Sequence, residues 1–229
     1  SDLKAKYDVV QILNQFNDLS MFKEMNGVIQ KLEDSIQKKK KKSIIHLDKN
    51  ERLKGLEYID VLYQSILNKQ VLRILYQSFT AREAQNMTVH PQLLKEYNNR
   101  WFLICLHKGK LYNLALDRMQ EIDVDENSTY IDYNLDADRY FGEVIGATVS
   151  ETQRGQNVIF AIDRKHAPYV VTKPFHHSQV ILEENVEQTT FKICVQLNYE
   201  LERMILGMGE FITVLKPAKL RNRIENCLK

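Results

Sequence analysis

Residues 93–116 read Leu-Leu-Lys-Glu-Tyr-Asn-Asn-Arg-Trp-Phe-Leu-Ile-Cys-Leu-His-Lys-Gly-Lys-Leu-Tyr-Asn-Leu-Ala-Leu. Two runs of strand formers, 93–97 and 100–107, flank Asn98-Asn99, and asparagine tolerates the positive φ that a two-residue hairpin turn requires. Lys108-Gly109 is a second tight turn, leading into a third run at 111–116. The stretch therefore predicts three consecutive antiparallel strands. In the middle strand Trp101, Leu103 and Cys105 share one face, and Arg100, Phe102 and Ile104 share the other. The all-apolar set is the natural core face, with Trp101 a core residue. The opposite face sets a guanidinium beside an aromatic ring, a pairing suited to stacking on a base and holding a phosphate. An equally physical alternative is that both faces of a small barrel are half buried and Phe102 simply packs.

Working outward, 71–76, 87–91 and 119–124 are further extended runs, with Pro91 marking an edge or a bend. Five or six short strands joined by tight turns predict a small β-barrel that closes its own edges. Upstream, apolar residues recur at helical spacing over 7–16, 22–36 and 56–67. Between them lie five consecutive lysines, 38–42. Their mutual repulsion suits a solvated linker or helix end, and their charge alternatively suits a phosphate-contacting arm. Downstream, 136–145 reads as a short helix. Strands at 158–162, 179–183, 190–197 and 211–215 then alternate with helices at 166–171, 199–206 and 218–228. That order predicts a small α+β unit with its helices on one face of a sheet.

Composition sets the outer limits. The chain has 229 residues, 44% hydrophobic and 27% charged, with a net charge of +2. This is the make-up of an ordinary globular protein, and a near-neutral sum leaves nucleic-acid binding to local patches. Cys105, Cys194 and Cys227 are odd in number and widely spaced, which fits neither a disulfide framework nor a zinc site. With no long apolar run and no opening signal peptide, the expectation is a cytoplasmic protein with no membrane partner. A start at Ser1 without methionine fits either methionine removal or a piece cut from a longer protein.

No catalytic constellation is expected. The eight glycines nowhere cluster into a phosphate loop, and no serine, cysteine or threonine sits in a nucleophile elbow. His176-His177 is the only paired histidine, and on a strand the two would face opposite ways, so no metal site is expected. Asp117-Arg118 reads as a structural ion pair or turn. The chain is therefore expected to be a binding protein, not an enzyme, with no cofactor and no metal.

Several blocks, in order, carry a family resemblance. Asn99-Arg100-Trp101-Phe102-Leu103 resembles the Trp-Tyr-Leu run that gives the WYL-domain transcriptional regulators of bacteria their name. Tyr76-Gln77-Ser78, His90-Pro91-Gln92-Leu93-Leu94, Asn113-Leu114-Ala115-Leu116-Asp117-Arg118-Met119 and Asp138-Arg139-Tyr140-Phe141 resemble other blocks of that domain. Ala167-Pro168-Tyr169-Val170, Pro174-Phe175-His176-His177-Ser178-Gln179 and residues 209–217 resemble the C-terminal WCX extension. Two positions depart from the family. Phe102 stands where tyrosine is usual and loses the hydroxyl donor, and Tyr112 stands where arginine is frequent and removes a phosphate contact.

The resemblance implies an α+β chain of three parts. Residues 1–67 would be connector helices without a DNA-binding head, 68–146 an Sm- or SH3-like WYL barrel, and 147–229 a WCX domain of α/β-sandwich type. It also implies a sensing and dimerising role, in which a nucleotide or single-stranded nucleic acid binds the barrel as effector. DNA would be bound through a helix-turn-helix in the full-length protein, and the chain would form a homodimer. Direct binding of RNA or single-stranded DNA is the alternative. The residues assigned to the effector are Tyr76, Ser78, His90, Arg100, Phe102, Tyr112 and Arg118. Phe102 and Tyr112 would stack, Arg100 and Arg118 would meet negative charge, and Ser78 and His90 would donate hydrogen bonds.

Overall fold

A computed structural model describes residues 53–227, so the helices expected over 7–16 and 22–36 and the lysine run lie outside the described residues. The chain divides into two units at Asn134/Leu135.

The first unit opens with a 3-10 turn, Leu56–Tyr58, running into helix α1, Ile59–Leu67. Lys69, at φ 53, ends the helix in the left-handed conformation, where its N–H reaches the Ile66 carbonyl at 3.2 Å. Five strands follow: β1 Val71–Tyr76, β2 Gln85–Tyr97, β3 Arg100–His107, β4 Lys110–Ala115 and β5 Met119–Asp125. Their antiparallel order is β4-β3-β2-β1-β5. Both tight turns form as the sequence predicts, with φ of 52 and 60 at Asn98 and Asn99 and of 49 and 77 at Lys108 and Gly109. Such paired positive φ values twist a hairpin in the hand its strands require.

The runs at 87–91 and 93–97 are one strand, not two. Pairing slips between Pro91 and Leu93, leaving Gln92 as the extra residue of a bulge. Pro91 has no N–H to give the ladder, and the bulge lets β2 pair with β1 at one end and with β3 at the other. The Gln92 side chain then donates to the carbonyls of His90 (3.0 Å) and Ile131 (2.9 Å) and accepts from the Tyr133 N–H (2.9 Å). It clamps the 130–134 segment onto the strand.

The expected closed barrel is not what forms. The sheet is open, with β4 and β5 as its two edges. The connector between them, Leu116–Arg118, coils as a 3-10 turn and delivers β5 to the far side of β1. Cover for the apolar face comes from α1. Ile59 and Leu62 join Leu72, Ile74, Met87, Val89, Leu103, Cys105, Leu114, Leu116 and Met119 in one buried cluster. Burial there pushes the Cys105 thiol up to about 12, an inert core residue.

In the second unit, β6 Gln156–Asp163, β7 Val180–Glu184, β8 Gln188–Val195 and β9 Ile212–Lys216 form an antiparallel sheet ordered β7-β8-β6-β9. Val158, Phe160 and Ile162 alternate onto one face of β6 and pair across to Ile193, Phe191 and Thr189. The helices α3 Ala167–Thr172, α4 Tyr199–Gly207 and α5 Ala218–Cys227 bury their apolar stripes on that face, and the short α2, Ala137–Phe141, precedes β6. Phe160 stacks on Phe191 and Phe175 at 5.5 and 5.3 Å. Ile145 lies in this core, and Asn198, the N-cap of α4, donates to the Ile145 carbonyl.

Candidate ligand cleft

The turn at Leu116–Arg118 organises the site. Leu116 is buried and anchors it. Gly55, at φ +87, lies against its backbone, where a Cβ would fall 2.6 Å from the Asp117 nitrogen and 2.7 Å from the Leu116 oxygen. Only glycine permits both the conformation and the approach. On the other side the Gln77 N–H donates to the Arg118 carbonyl (3.1 Å). The Gln77 amide accepts from Gln120 (2.9 Å) and donates to the carbonyls of Ala81 and Arg82. One side chain thus fixes the 77–84 loop beside the turn.

That loop presents Phe79, 73% exposed, beneath Arg118, whose guanidinium carbon sits 4.4 Å from the ring centroid. Arg100 approaches from the start of β3, with its Nε 3.2 Å from Asp117 Oδ2. Arg118 Nε lies 3.8 Å from Asp117 Oδ1, an ion pair too long to be a hydrogen bond. Both of those atoms are buried and lack a hydrogen-bond partner. Two hollows of about 380 and 320 Å³ meet at Phe79 and Asp117. Leu53, Lys54, Leu56, Asn99, Arg100 and Trp101 line the first, and Gln77, Ser78, Ala81, Arg118, Met119 and Gln120 line the second. The cleft thus offers three cations around one carboxylate and an exposed ring.

Of the seven residues singled out from sequence, Ser78, Arg100 and Arg118 come together here. Ser78 Oγ lies 3.3 Å from Thr80 Oγ1 within the loop. Tyr76 is half buried at the end of β1 and packs on the core. His90 sits elsewhere as an acceptor: its Nδ1 takes the Ile131 N–H at 3.1 Å. Partial burial, then the neighbouring His107, holds its pKa below the ordinary histidine value. Phe102 and Tyr112 occupy opposite faces of the sheet, because Phe102 pairs with Ala115 whereas Tyr112 pairs with Cys105. One ligand cannot lie between those two rings. Tyr112 instead meets His107 edge-on at 5.4 Å. Trp101 has two environments, packing on the core and lining the first hollow.

Phe79, Lys54, Gln77 and Gly55 escaped the sequence reading. Phe79 had one usable signal, an aromatic ring between Ser78 and Thr80 in a non-strand segment. His176 and His177 lie in a turn and not on a strand, so their rings stand 4.0 Å apart. His176 Nδ1 is 2.8 Å from Ser178 Oγ. Among the described residues no group of three or more histidine, cysteine or carboxylate side chains is placed to hold a metal ion. None of the described helices is long and apolar enough to cross a membrane.

Comparison with known proteins gives two family matches, the WYL domain over residues 57–124 and the WCX domain over 155–229. No curated protein matches the chain. Among solved structures it is similar to proteasome accessory factor B/C (PafBC) of Arthrobacter aurescens, at 15% identity and a TM-score of 0.33, over 78% of this chain and 27% of that one. It is also similar to a CRISPR Cas-related protein, at 12% identity and a TM-score of 0.47, over 76% of this chain and 50% of that one. The chain therefore spans half or less of the length of either. On the two family matches, which cover nearly all of the first unit's sheet and most of the second unit, this chain belongs to the family that joins a WYL domain to a WCX domain.

Proposed function

We propose that this chain is the sensing part of a transcriptional regulator, and that it binds a nucleotide or single-stranded nucleic acid in the cleft around Asp117. The observation that carries this reading is the pair of guanidiniums, Arg100 and Arg118, beside the exposed Phe79 ring. Guanidinium groups hold phosphate through several parallel hydrogen bonds, and an exposed ring stacks on a base whatever its identity. This reading takes the chemistry to be binding and not turnover, because guanidiniums and a stacking ring hold a ligand without reacting with it. In a full-length regulator, occupancy would shift the arrangement of a homodimer and so the engagement of DNA by a separate head. That coupling requires the ligand to bind one arrangement better than the other.

The test is a titration with a fluorescein-labelled oligodeoxythymidine of about ten nucleotides. Arg100→Ala is expected to weaken binding about tenfold, in line with loss of one charge-assisted contact. Phe79→Ala is expected to cost about 1–3 kcal/mol, the worth of one stacked base. Affinity unchanged in both variants sinks the assignment of this cleft. A steep salt dependence, with many phosphates neutralised and Phe79→Ala without effect, favours direct backbone binding over sensing.

A further inference from the structure

Asp117 sits where an anionic ligand would have to sit. Its Oδ2 forms an ion pair with the Arg100 guanidinium, 3.2 Å from Nε, and its Oδ1 faces the Arg118 Nε at 3.8 Å. Its side chain is only 15% exposed and forms part of the wall common to the two hollows. The pairing with Arg118 is loose, and Oδ1 and the Arg118 Nε both remain buried without a hydrogen bond. A carboxylate held by one good contact and one poor one is a weak resident. Buried donors and acceptors left unmade carry a free-energy cost that a better-fitting anion would relieve. Asp117 also lowers the cleft's charge, since with Lys54, Arg100 and Arg118 it leaves a net of two positive charges in place of three.

We propose that Asp117 is an internal counter-ion, an intramolecular competitor that a phosphate-bearing ligand displaces from Arg100 and Arg118. The inference rests on the cleft being the ligand site. Its consequence is regulatory: a single weak anion is rejected, and only a ligand adding a base on Phe79 to a phosphate on the guanidiniums outcompetes the resident carboxylate. Asp117 then sets the affinity threshold and makes no favourable contact of its own with the ligand.

The experiment compares Asp117→Asn with Asp132→Asn. Asp132 pairs with Lys69 at 2.9 Å in the same unit and does not line the cleft, so its loss also frees a cation and changes net charge equally. Against the same labelled strand, Asp117→Asn is expected to bind about tenfold more tightly. Its affinity is expected to fall with salt about as steeply as that of the unsubstituted chain, since the same phosphate meets the same guanidiniums in both complexes. Asp132→Asn is expected to bind as the unsubstituted chain does. Equal gains in both variants would mean a general charge effect and overturn the proposal. Unchanged or weaker binding by Asp117→Asn, with the unsubstituted chain still binding, would overturn it while leaving the cleft assignment standing. No binding by either chain would remove both. Should Asp117→Asn fail to fold, the unsubstituted protein decides. The Asp117 Cγ resonance is expected to move on saturation with the strand as the carboxylate leaves Arg100, and an unmoved resonance contradicts displacement.

Discussion

Arg100 begins β3, and that position decides its role. Strand alternation groups it with Phe102, and that grouping was readable from sequence. At a strand's first position, however, the side chain is not held between cross-strand neighbours, and it turns to Asp117. Phe102 lies inside the ladder, opposite Lys95 and Ala115, and stays on its own face. The basic half of the cleft was thus legible in the residue types, whereas the two rings grouped with it, Phe102 and Tyr112, lie on opposite faces of the sheet and outside the two hollows. Phe79 comes from a loop whose path is set by the Gln77 amide, and nothing local announces that. His90 shows the same limit, since its partner is a backbone N–H far along the chain. Because partial burial and His107 lower its folded pKa, the unfolded chain takes up the proton at higher pH than the folded one. Its contribution to stability is complete above the ordinary histidine pKa and is lost as pH falls through the folded value. Thermal melts between about pH 5 and 8 should show stability falling toward acid, and His90→Gln should flatten part of that fall. His176 titrates in the same direction and supplies a remainder. An unchanged profile in His90→Gln would contradict this account of His90.

At the scale of elements, the hairpins were the most legible feature, because Asn98-Asn99 and Lys108-Gly109 carry their conformational preference within two residues. The continuity of β2 was not legible. Pro91 looks like a terminator, and only the bulge at Gln92 and the partners of its amide keep the strand whole. The Leu116–Arg118 turn lies between those cases. Asp117-Arg118 reads locally as a turn, but Gly55, which fits against its backbone, is distant in sequence. Gly55→Ala should lose at least about 1 kcal/mol of stability from the left-handed backbone alone, and more from the contact with Asp117. Denaturant titration measures the first effect, and a parallel loss of strand binding would report movement of the turn. Wild-type stability and binding in Gly55→Ala would show that this approach does not shape the cleft.

At the scale of the whole chain, two units with separate cores account for the fold. The second was predicted closely, since alternation along β6 and β8 and the helical stripes all face one way. The first was predicted to close as a barrel, because strand count and turn spacing are local while the identity of the element covering the apolar face is not. Helix α1 covers that face, and the open order β4-β3-β2-β1-β5 leaves the 116–118 turn and the 77–84 loop side by side. The WYL match covers this sheet, and the cleft lies where the turn, the loop and the start of β3 meet. Amide hydrogen exchange with and without the single-stranded oligonucleotide tests most directly whether that cleft takes the ligand. The account predicts slowed exchange at 77–81, 99–101 and 117–119. Protection confined to the opposite face of the sheet around Phe102, or to the second unit, would contradict it.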